Sequence, residues 1–420
     1  MDKLVIEGGK ALKGEVEISG AKNAALPIMA AAILTDEPCV IRNVPLLKDV
    51  QTMIRLLKGL GMKAEWEDST VLIESQGAKK YSASYNLVKT MRASVCVLGP
   101  LLAKLNKAEV SMPGGCIIGY RPIGLHIKGL EALGAEIKIE HGYVIAKSKC
   151  LKGARVYLGG SFGSSVLATA NVLMASTLAK GKTLIENAAC EPEIIDLIDF
   201  LIKMGAKIKG ANTHIIEVEG VNKLRGAEHS IISDRIEAGT YMIAAGITGG
   251  DITLKNANME HLGALVDKLD EAGLAVSCSS KKIRVRKCRS LKPVDVTTLP
   301  FPGFPTDMQA QMMSLMTVTK GISVITEKIY PDRFMHVAEL NRMGAQVILE
   351  GPSAIVKGIR NLSGAPVMAS DLRASAALVL AGLVAKGKTE IHRIYHLDRG
   401  YELIEEKLSK LGARIWRERE

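Results

Sequence analysis

The chain has 420 residues, 47% apolar and 24% charged, with a net charge of +11. That length suits two domains of ordinary size, and that balance excludes a disordered chain. No run approaches the about 18 uncharged apolar residues of a membrane span, and the first residues lack the apolar core of a signal peptide.

In chain order, the first predicted element is an N-terminal strand over residues 4–18. Gly20-Ala21-Lys22-Asn23-Ala24 then opens a helix whose residues 24–34 are apolar nearly all round, so it should be buried. Lys22 in its first turn makes either a competent anion site, because the unpaired N–H groups there carry partial positive charge, or a plain solvated lysine behind a cap. A strand follows at 38–43, then an amphipathic helix that stops at Leu60-Gly61-Met62.

From this point the chain repeats itself. The apolar–Gly–apolar step returns at Leu133-Gly134-Ala135, Met204-Gly205-Ala206, Ala272-Gly273-Leu274, Met343-Gly344-Ala345 and Leu411-Gly412-Ala413, 68 to 73 residues apart. Each glycine closes an amphipathic helix, as at 194–204, where a left-handed cap is usual. Each is followed by an alternation such as Ala135-Glu136-Ile137-Lys138-Ile139, which reads as a strand. In step with this, strands at 182–187, 251–256 and 388–393 each follow an Ala/Leu-rich helix, and 108–111 and 322–326 fill the two remaining copies. Helices over 166–178, 238–247 and 372–384 should be buried like the first. The unit is buried helix, strand, amphipathic helix, Gly cap, strand, strand, and at about 70 residues it suits a small α/β unit stacked in threes. Buried helices with sheets outside, three units per domain, is the expected arrangement.

The repeat removes two apparent motifs. Gly382-Leu383-Val384-Ala385-Lys386-Gly387-Lys388-Thr389 fits a phosphate-loop pattern, but a helix precedes it and a strand follows, the reverse of what that loop requires. Gly59-Leu60-Gly61-Met62-Lys63-Ala64 mimics a dinucleotide fingerprint at the wrong end of a helix.

Residues that interrupt the repeat are the candidates for chemistry. Pro113-Gly114-Gly115-Cys116-Ile117-Ile118-Gly119-Tyr120-Arg121-Pro122 can be neither helix nor inner strand, and it carries a thiol near an arginine. Positive charge beside a thiol favours the thiolate. The seven cysteines are scattered with no Cys-x-x-Cys pair, which fits a reducing cytoplasm rather than disulfides or structural zinc. Arg92 and Arg373 sit at the mouths of apolar helices, and Arg399 follows Asp398 just before another helix. A guanidinium is rarely buried without a partner. Asp307, in Phe301-Pro302-Gly303-Phe304-Pro305-Thr306-Asp307-Met308, stands at the first turn of a methionine-rich helix, a place where an aspartate often serves only as a cap. Met308, Met312 and Met316 recur at helical spacing and belong in the core. His392 and His396 lie on a strand and a loop, so no metal is expected, and no cofactor. A basic run, Lys281-Lys282-Ile283-Arg284-Val285-Arg286-Lys287, alternates like a strand with one charged face. With 4% aromatics to stack on bases, the positive charge points to small anions rather than nucleic acid.

Lys22-Asn23, Met91-Arg92-Ala93-Ser94, Pro113-Gly114-Gly115-Cys116, Arg121-Pro122, Pro305-Thr306-Asp307-Met308-Gln309, Arg333-Phe334-Met335-His336, Asp371-Leu372-Arg373-Ala374 and Asp398-Arg399-Gly400-Tyr401 together resemble, in order and over the whole chain, the motifs of the enolpyruvyl transferases that use UDP-N-acetylglucosamine. The resemblance implies an α/β protein of two domains, each an inside-out α/β barrel of three units. The first would span 21–230, and the second would combine 1–20 with 231–420. It implies transfer of the enolpyruvyl group of phosphoenolpyruvate to the sugar 3′-hydroxyl, with no membrane or nucleic-acid partner. By position, the catalytic residues would be Cys116 as the general acid, Asp307, which would take the hydroxyl proton, and Lys22. Lys22, Asn23, Arg121 and Arg399 would hold phosphoenolpyruvate. Arg92, Arg121, Pro122, Ile123, Gly124, Leu125, Ser165, Val166, Asp307 and Ile329 would meet the sugar nucleotide, with Arg333, Asp371 and Arg373 in support. Gly124 stands where family members often carry an acidic residue. The family's Ser-Val-Gly-Ala-Thr turn aligns with 161–165 or with 165–169. The alternatives are another acceptor, such as shikimate 3-phosphate, or an inactive binding paralogue. The Cys116 loop speaks against the first, and the joint presence of Cys116, Lys22, Asp307 and Arg399 against the second.

Overall fold

Residues 2–77, 79–112, 123–288 and 290–419 are described by a computed structural model. The 113–122 loop, with Cys116, Arg121 and Pro122, lies outside the described residues.

Apolar helices have to be covered on every side, and six of them organise the chain: Lys22–Ala31, Leu98–Leu105, Val166–Ser176, Arg235–Thr248, Gln309–Thr317 and Leu372–Gly382. Leu372–Gly382 is buried along its whole length, and so is Gln309–Thr317, where Met312 and Met316 join Met308 in the core. Two of the six are entered through short 3-10 turns, Arg92–Val97 and Thr306–Met308, which carry Arg92 and Asp307.

The residues fall into two compact units, one formed by 20–232 and the other by 2–19 with 233–419. Each has its own hydrophobic core and three four-stranded sheets. The sheets share one plan. In the 20–232 unit, Cys39–Arg42 pairs antiparallel with Thr70–Glu74, which pairs with Lys63–Glu67 at one edge. The other edge is a short parallel strand handed over from another copy. Ser82–Ala83 joins Lys107–Ser111, Arg155–Tyr157 joins Lys182–Glu186, and Glu228–Ser230 returns to Cys39–Arg42, so the three sheets are linked cyclically.

The second unit follows the same plan with one substitution. The sheet holding Lys388–His392 and Arg414–Arg419 takes Asp2–Glu7 between them, and Lys13–Glu17 becomes the parallel edge beside Asp251–Lys255. The N-terminal stretch expected as one strand is therefore two strands in two sheets. The break has a steric cause: a Cβ on Gly8 would lie 2.4 Å from the Ala385 carbonyl oxygen, and Gly9 has φ +94°. The six repeat glycines all have φ between 90 and 100°, a region that penalises any side chain. The phosphate-loop look-alike is the turn from Leu372–Gly382 into Lys388–His392, a helix running into a strand. No described helix is long and apolar enough to cross a membrane.

Candidate active site

In the 20–232 unit, Lys22 occupies the first position of its helix. The approach is fixed by close packing: a Cβ on Gly20 would lie 1.7 Å from the Asn43 carbonyl oxygen, and the Ala21 N–H donates to Ile232 O at 2.7 Å. The Lys22 ammonium lies 3.3 Å from Asp49 Oδ2, with the two side chains only 12% and 6% exposed. A cation is thus held at a helix N-terminus, where anions are favoured. Asn23 follows it, partly buried.

Arg92 begins the 3-10 turn that feeds Leu98–Leu105. Below it lies a polar knot that the sequence reading missed. Asn171, buried in Val166–Ser176, accepts from the Gly99 N–H at 2.8 Å and donates to Val95 O at 2.9 Å. It also donates to His126 Nδ1 at 2.8 Å, which leaves the ring proton on Nε2. Burial, reinforced by the charge of Arg92, pushes the His126 pKa down to about 3. One amide thereby ties together the segments that carry Arg92, Ile123–Leu125 and Ser165–Val166. Ile123 accepts the first N–H bonds of the helix Gly124–Ala132, where Gly124 is exposed. Leu125 packs on Gly160 of a hairpin formed by Gly159–Gly160 and Gly163–Ser164. Ser165 caps the next helix, its hydroxyl accepting from Ala168 N–H at 3.4 Å. Residues 161–162 are thus the hairpin turn, and 165–169 is the helix start.

In the other unit, Asp307 has a role beyond capping. Its Oδ1 accepts from Arg333 Nη1 at 2.8 Å and its Oδ2 from Arg373 Nη2 at 3.0 Å. Arg333 and Arg373 are 5% and 2% exposed, whereas the Asp307 side chain retains 27%. Burial is the largest single influence and works against both guanidinium charges, but Asp307, joined by Asp371 at Arg333 and by Tyr401 and Asp234 at Arg373, outweighs it, and both arginines are pushed above their ordinary value. Arg373 also lies over the Tyr401 ring, 5.4 Å from its centroid. Asp371 is a helix cap, accepting from the N–H groups of Arg373 and Ala374 at 2.8 and 3.1 Å, and it fixes the origin of the Arg373 side chain. Arg399 ends the 3-10 turn Ile394–Arg399, and its neighbour Asp398 is bound by Arg417 at 2.8 Å. The partly buried Ile329 follows the strand Ile322–Thr326.

Glu327 was not singled out from the sequence, yet it is fully buried and bonded to Thr306 beside Asp307. Comparing the repeat copies residue by residue would have marked it, because Asn stands at that place in three of the other copies. Among the described residues no cluster of three or more His, Cys, Asp or Glu is arranged to hold a metal ion.

The buried histidines give a pH prediction. His336 is pushed down to about 4 by burial, which Asp371 opposes and Arg333 reinforces. Below about pH 6.5 the unfolded chain binds protons at His126 and His336 that the folded chain refuses. Their contribution to stability is therefore complete above about 6.5 and is lost as pH falls towards 4 for His336 and towards 3 for His126. Proton-detected NMR of the imidazoles should find both neutral at pH 5; a His126 that titrates near 6.5 contradicts the burial argument.

Residues 6–408 match the EPSP synthase (3-phosphoshikimate 1-carboxyvinyltransferase) family. A protein of Geotalea uraniireducens named UDP-N-acetylglucosamine 1-carboxyvinyltransferase is 56% identical over 420 residues, the whole of both chains. One of the same name from Myxococcus xanthus is 55% identical, again over all of both chains. Among solved structures, the enolpyruvyl transferase NikO from Streptomyces tendae superposes with a TM-score of 0.90 at 23% identity, covering 99% of this chain and 98% of that one. EPSP synthase from Acinetobacter baumannii superposes with a TM-score of 0.78 at 18% identity over all of both chains, which shows a shared mixed α/β fold. The chain belongs to the EPSP synthase family of 1-carboxyvinyl (enolpyruvyl) transferases.

Proposed function

We propose that this transferase moves the enolpyruvyl group of phosphoenolpyruvate to the 3′-hydroxyl of UDP-N-acetylglucosamine and releases phosphate, the first committed step of peptidoglycan synthesis. The observation that carries the reading is end-to-end identity of 52 to 56% with relatives named for that reaction. The Asp307 corner supplies chemistry that fits. The hydroxyl adds to C2 of phosphoenolpyruvate as its proton passes to Asp307 and Cys116 protonates C3; loss of phosphate from C2 and a proton from C3 restores the double bond. Lys22, Asn23, Arg121 and Arg399 bind the phosphate and carboxylate of phosphoenolpyruvate. Arg92, Arg121, Pro122, Ile123, Gly124, Leu125, Ser165, Val166, Asp307 and Ile329 contact the sugar nucleotide. Arg333, Asp371 and Arg373 hold Asp307 in place. Each unit is read as an inside-out α/β barrel, supported by the buried helices and the cyclic strand exchange; the domains are 21–230 and 1–20 with 231–420. Both substrates are soluble anions, and the reaction is placed in the cytoplasm.

Phosphate release from phosphoenolpyruvate should require UDP-N-acetylglucosamine and be far slower with UDP-glucose or shikimate 3-phosphate. Equal rates with shikimate 3-phosphate would overturn the acceptor assignment. Lys22→Ala or Arg399→Ala should weaken phosphoenolpyruvate capture by about 1.5–3 kcal/mol, the worth of one charge-assisted contact. A KM for phosphoenolpyruvate unchanged in both variants would remove these residues from its site.

A further inference from the structure

We infer that Glu327 is a positioning residue for this reaction, orienting Asp307 through Thr306 and Arg333 and fixing the backbone at Ile329; the inference rests on the enolpyruvyl-transfer reading.

The repeat itself exposes the anomaly. Where the strand after a buried helix ends, the next residue is Asn43, Asn187, Asn256 or Arg393 in four copies, with φ of 57, 53, 53 and 58°. Each makes a tight left-handed turn. In the copy that leads to Ile329 and Arg333, that place belongs to Glu327, and its side chain replaces the turn. Its N–H donates to Pro352 O at 2.8 Å, and its side chain is wholly buried. Oε1 accepts from Thr298 Oγ1 at 2.6 Å and from the N–H groups of Ile329 and Tyr330 at 2.8 and 2.9 Å. Oε2 accepts from Thr306 Oγ1 at 2.8 Å. All four donors are neutral. A buried carboxylate persists only where its lone pairs are satisfied, and here the satisfying groups belong to three segments around one corner.

The direction of these bonds matters more than their number. A carboxylate only accepts, so Thr306 must spend its single proton on Glu327. Its lone pairs are then left for Arg333 Nη1, which donates to Thr306 Oγ1 at 3.0 Å and to Asp307 Oδ1 at 2.8 Å. One polarity runs through the row, from Arg333 through Thr306 to Glu327. Glutamine at 327 would keep its oxygen on the two backbone N–H groups, which cannot reverse. Its NH2 would then donate to Thr306, so the hydroxyl proton has to rotate off that direction and the row loses its single polarity. The second acceptor of the guanidinium that aims Asp307 would then no longer be fixed in direction.

Kinetics of Glu327→Gln, Thr306→Val, their double variant and Thr306→Ser test this, with Tm recorded for each. Glu327→Gln and Thr306→Val should each lower kcat by about 10- to 100-fold, the scale expected for a sub-ångström misplacement. The double variant should be little worse than either single one, and Thr306→Ser should restore the rate to within about threefold. A plain loop anchor would lower Tm while kcat and KM of the folded enzyme stayed within about twofold of wild type, and that result overturns the inference. If Glu327→Gln fails to fold, the Thr306 pair decides by the same criterion. A wild-type enzyme that releases no phosphate with UDP-N-acetylglucosamine would overturn the reaction itself and this inference with it. An active wild type beside unchanged variants overturns the inference alone.

Discussion

Asp307→Asn should turn over about 10²–10⁴ times more slowly than the wild type, with the affinity for the sugar nucleotide little changed. The amide has the shape of the carboxylate but cannot take the hydroxyl proton. It also removes the negative charge that faces Arg333 and Arg373, both buried, at 2.8 and 3.0 Å. Two guanidiniums would then confront each other with less compensation, so some stability should be lost as well. Stripping one partner from a fully buried pair costs about 3–5 kcal/mol, and this carboxylate, 27% exposed, should cost less. Tm and nucleotide binding measured on the same preparation separate misfolding from lost chemistry. A folded Asp307→Asn enzyme working near the wild-type rate would take the aspartate out of the mechanism.

The repeat was legible because its markers are local. A glycine that must adopt positive φ at the end of a helix leaves the same signature at positions 61, 134, 205, 273, 344 and 412. Helices without a polar face announce their burial in the same way. The parallel edge strands were not legible: Ser82–Ala83 and Val296–Thr297 have two residues each, too few for any alternation to show. Nor does local pattern reveal that the break at Gly8 sends two halves of one apparent strand into different sheets. Candidate site residues show the same division. Lys22, Arg92, Asp307 and Arg373 stand out because a charge opens an apolar helix. His126 and Asn171 look like ordinary helix residues until packing brings the ring and the amide to 2.8 Å. Glu327 follows a strand as a surface residue would; only the fold turns it inward onto Thr298 and Thr306.

Cys116→Ala should lose turnover by about 10²–10⁴, the usual weight of a general acid, while Cys116→Asp should keep part of it by supplying another ionisable group. An epoxide such as fosfomycin should alkylate Cys116 and abolish phosphate release in step with modification, and the Asp variant should resist it. The other cysteines make the test discriminating. Cys39 and Cys96 are buried, and burial pushes their thiols up to about 11 and about 12. Cys190 is raised by the same cause, with the charge of Glu191 adding to it. None of the three offers a thiolate near neutral pH. Cys278 and Cys288 are exposed, so access alone does not single out Cys116. What should distinguish it is rate, because the thiolate is the nucleophile and the positive charge of Arg121, five residues on in the sequence, favours it. Peptide mass spectrometry over a time course therefore reads the answer. Cys116 should be modified well ahead of Cys278 and Cys288, and activity should fall with it. Modification of the two exposed cysteines first, or full turnover by Cys116→Ala, would overturn the proposed role of Cys116 as general acid.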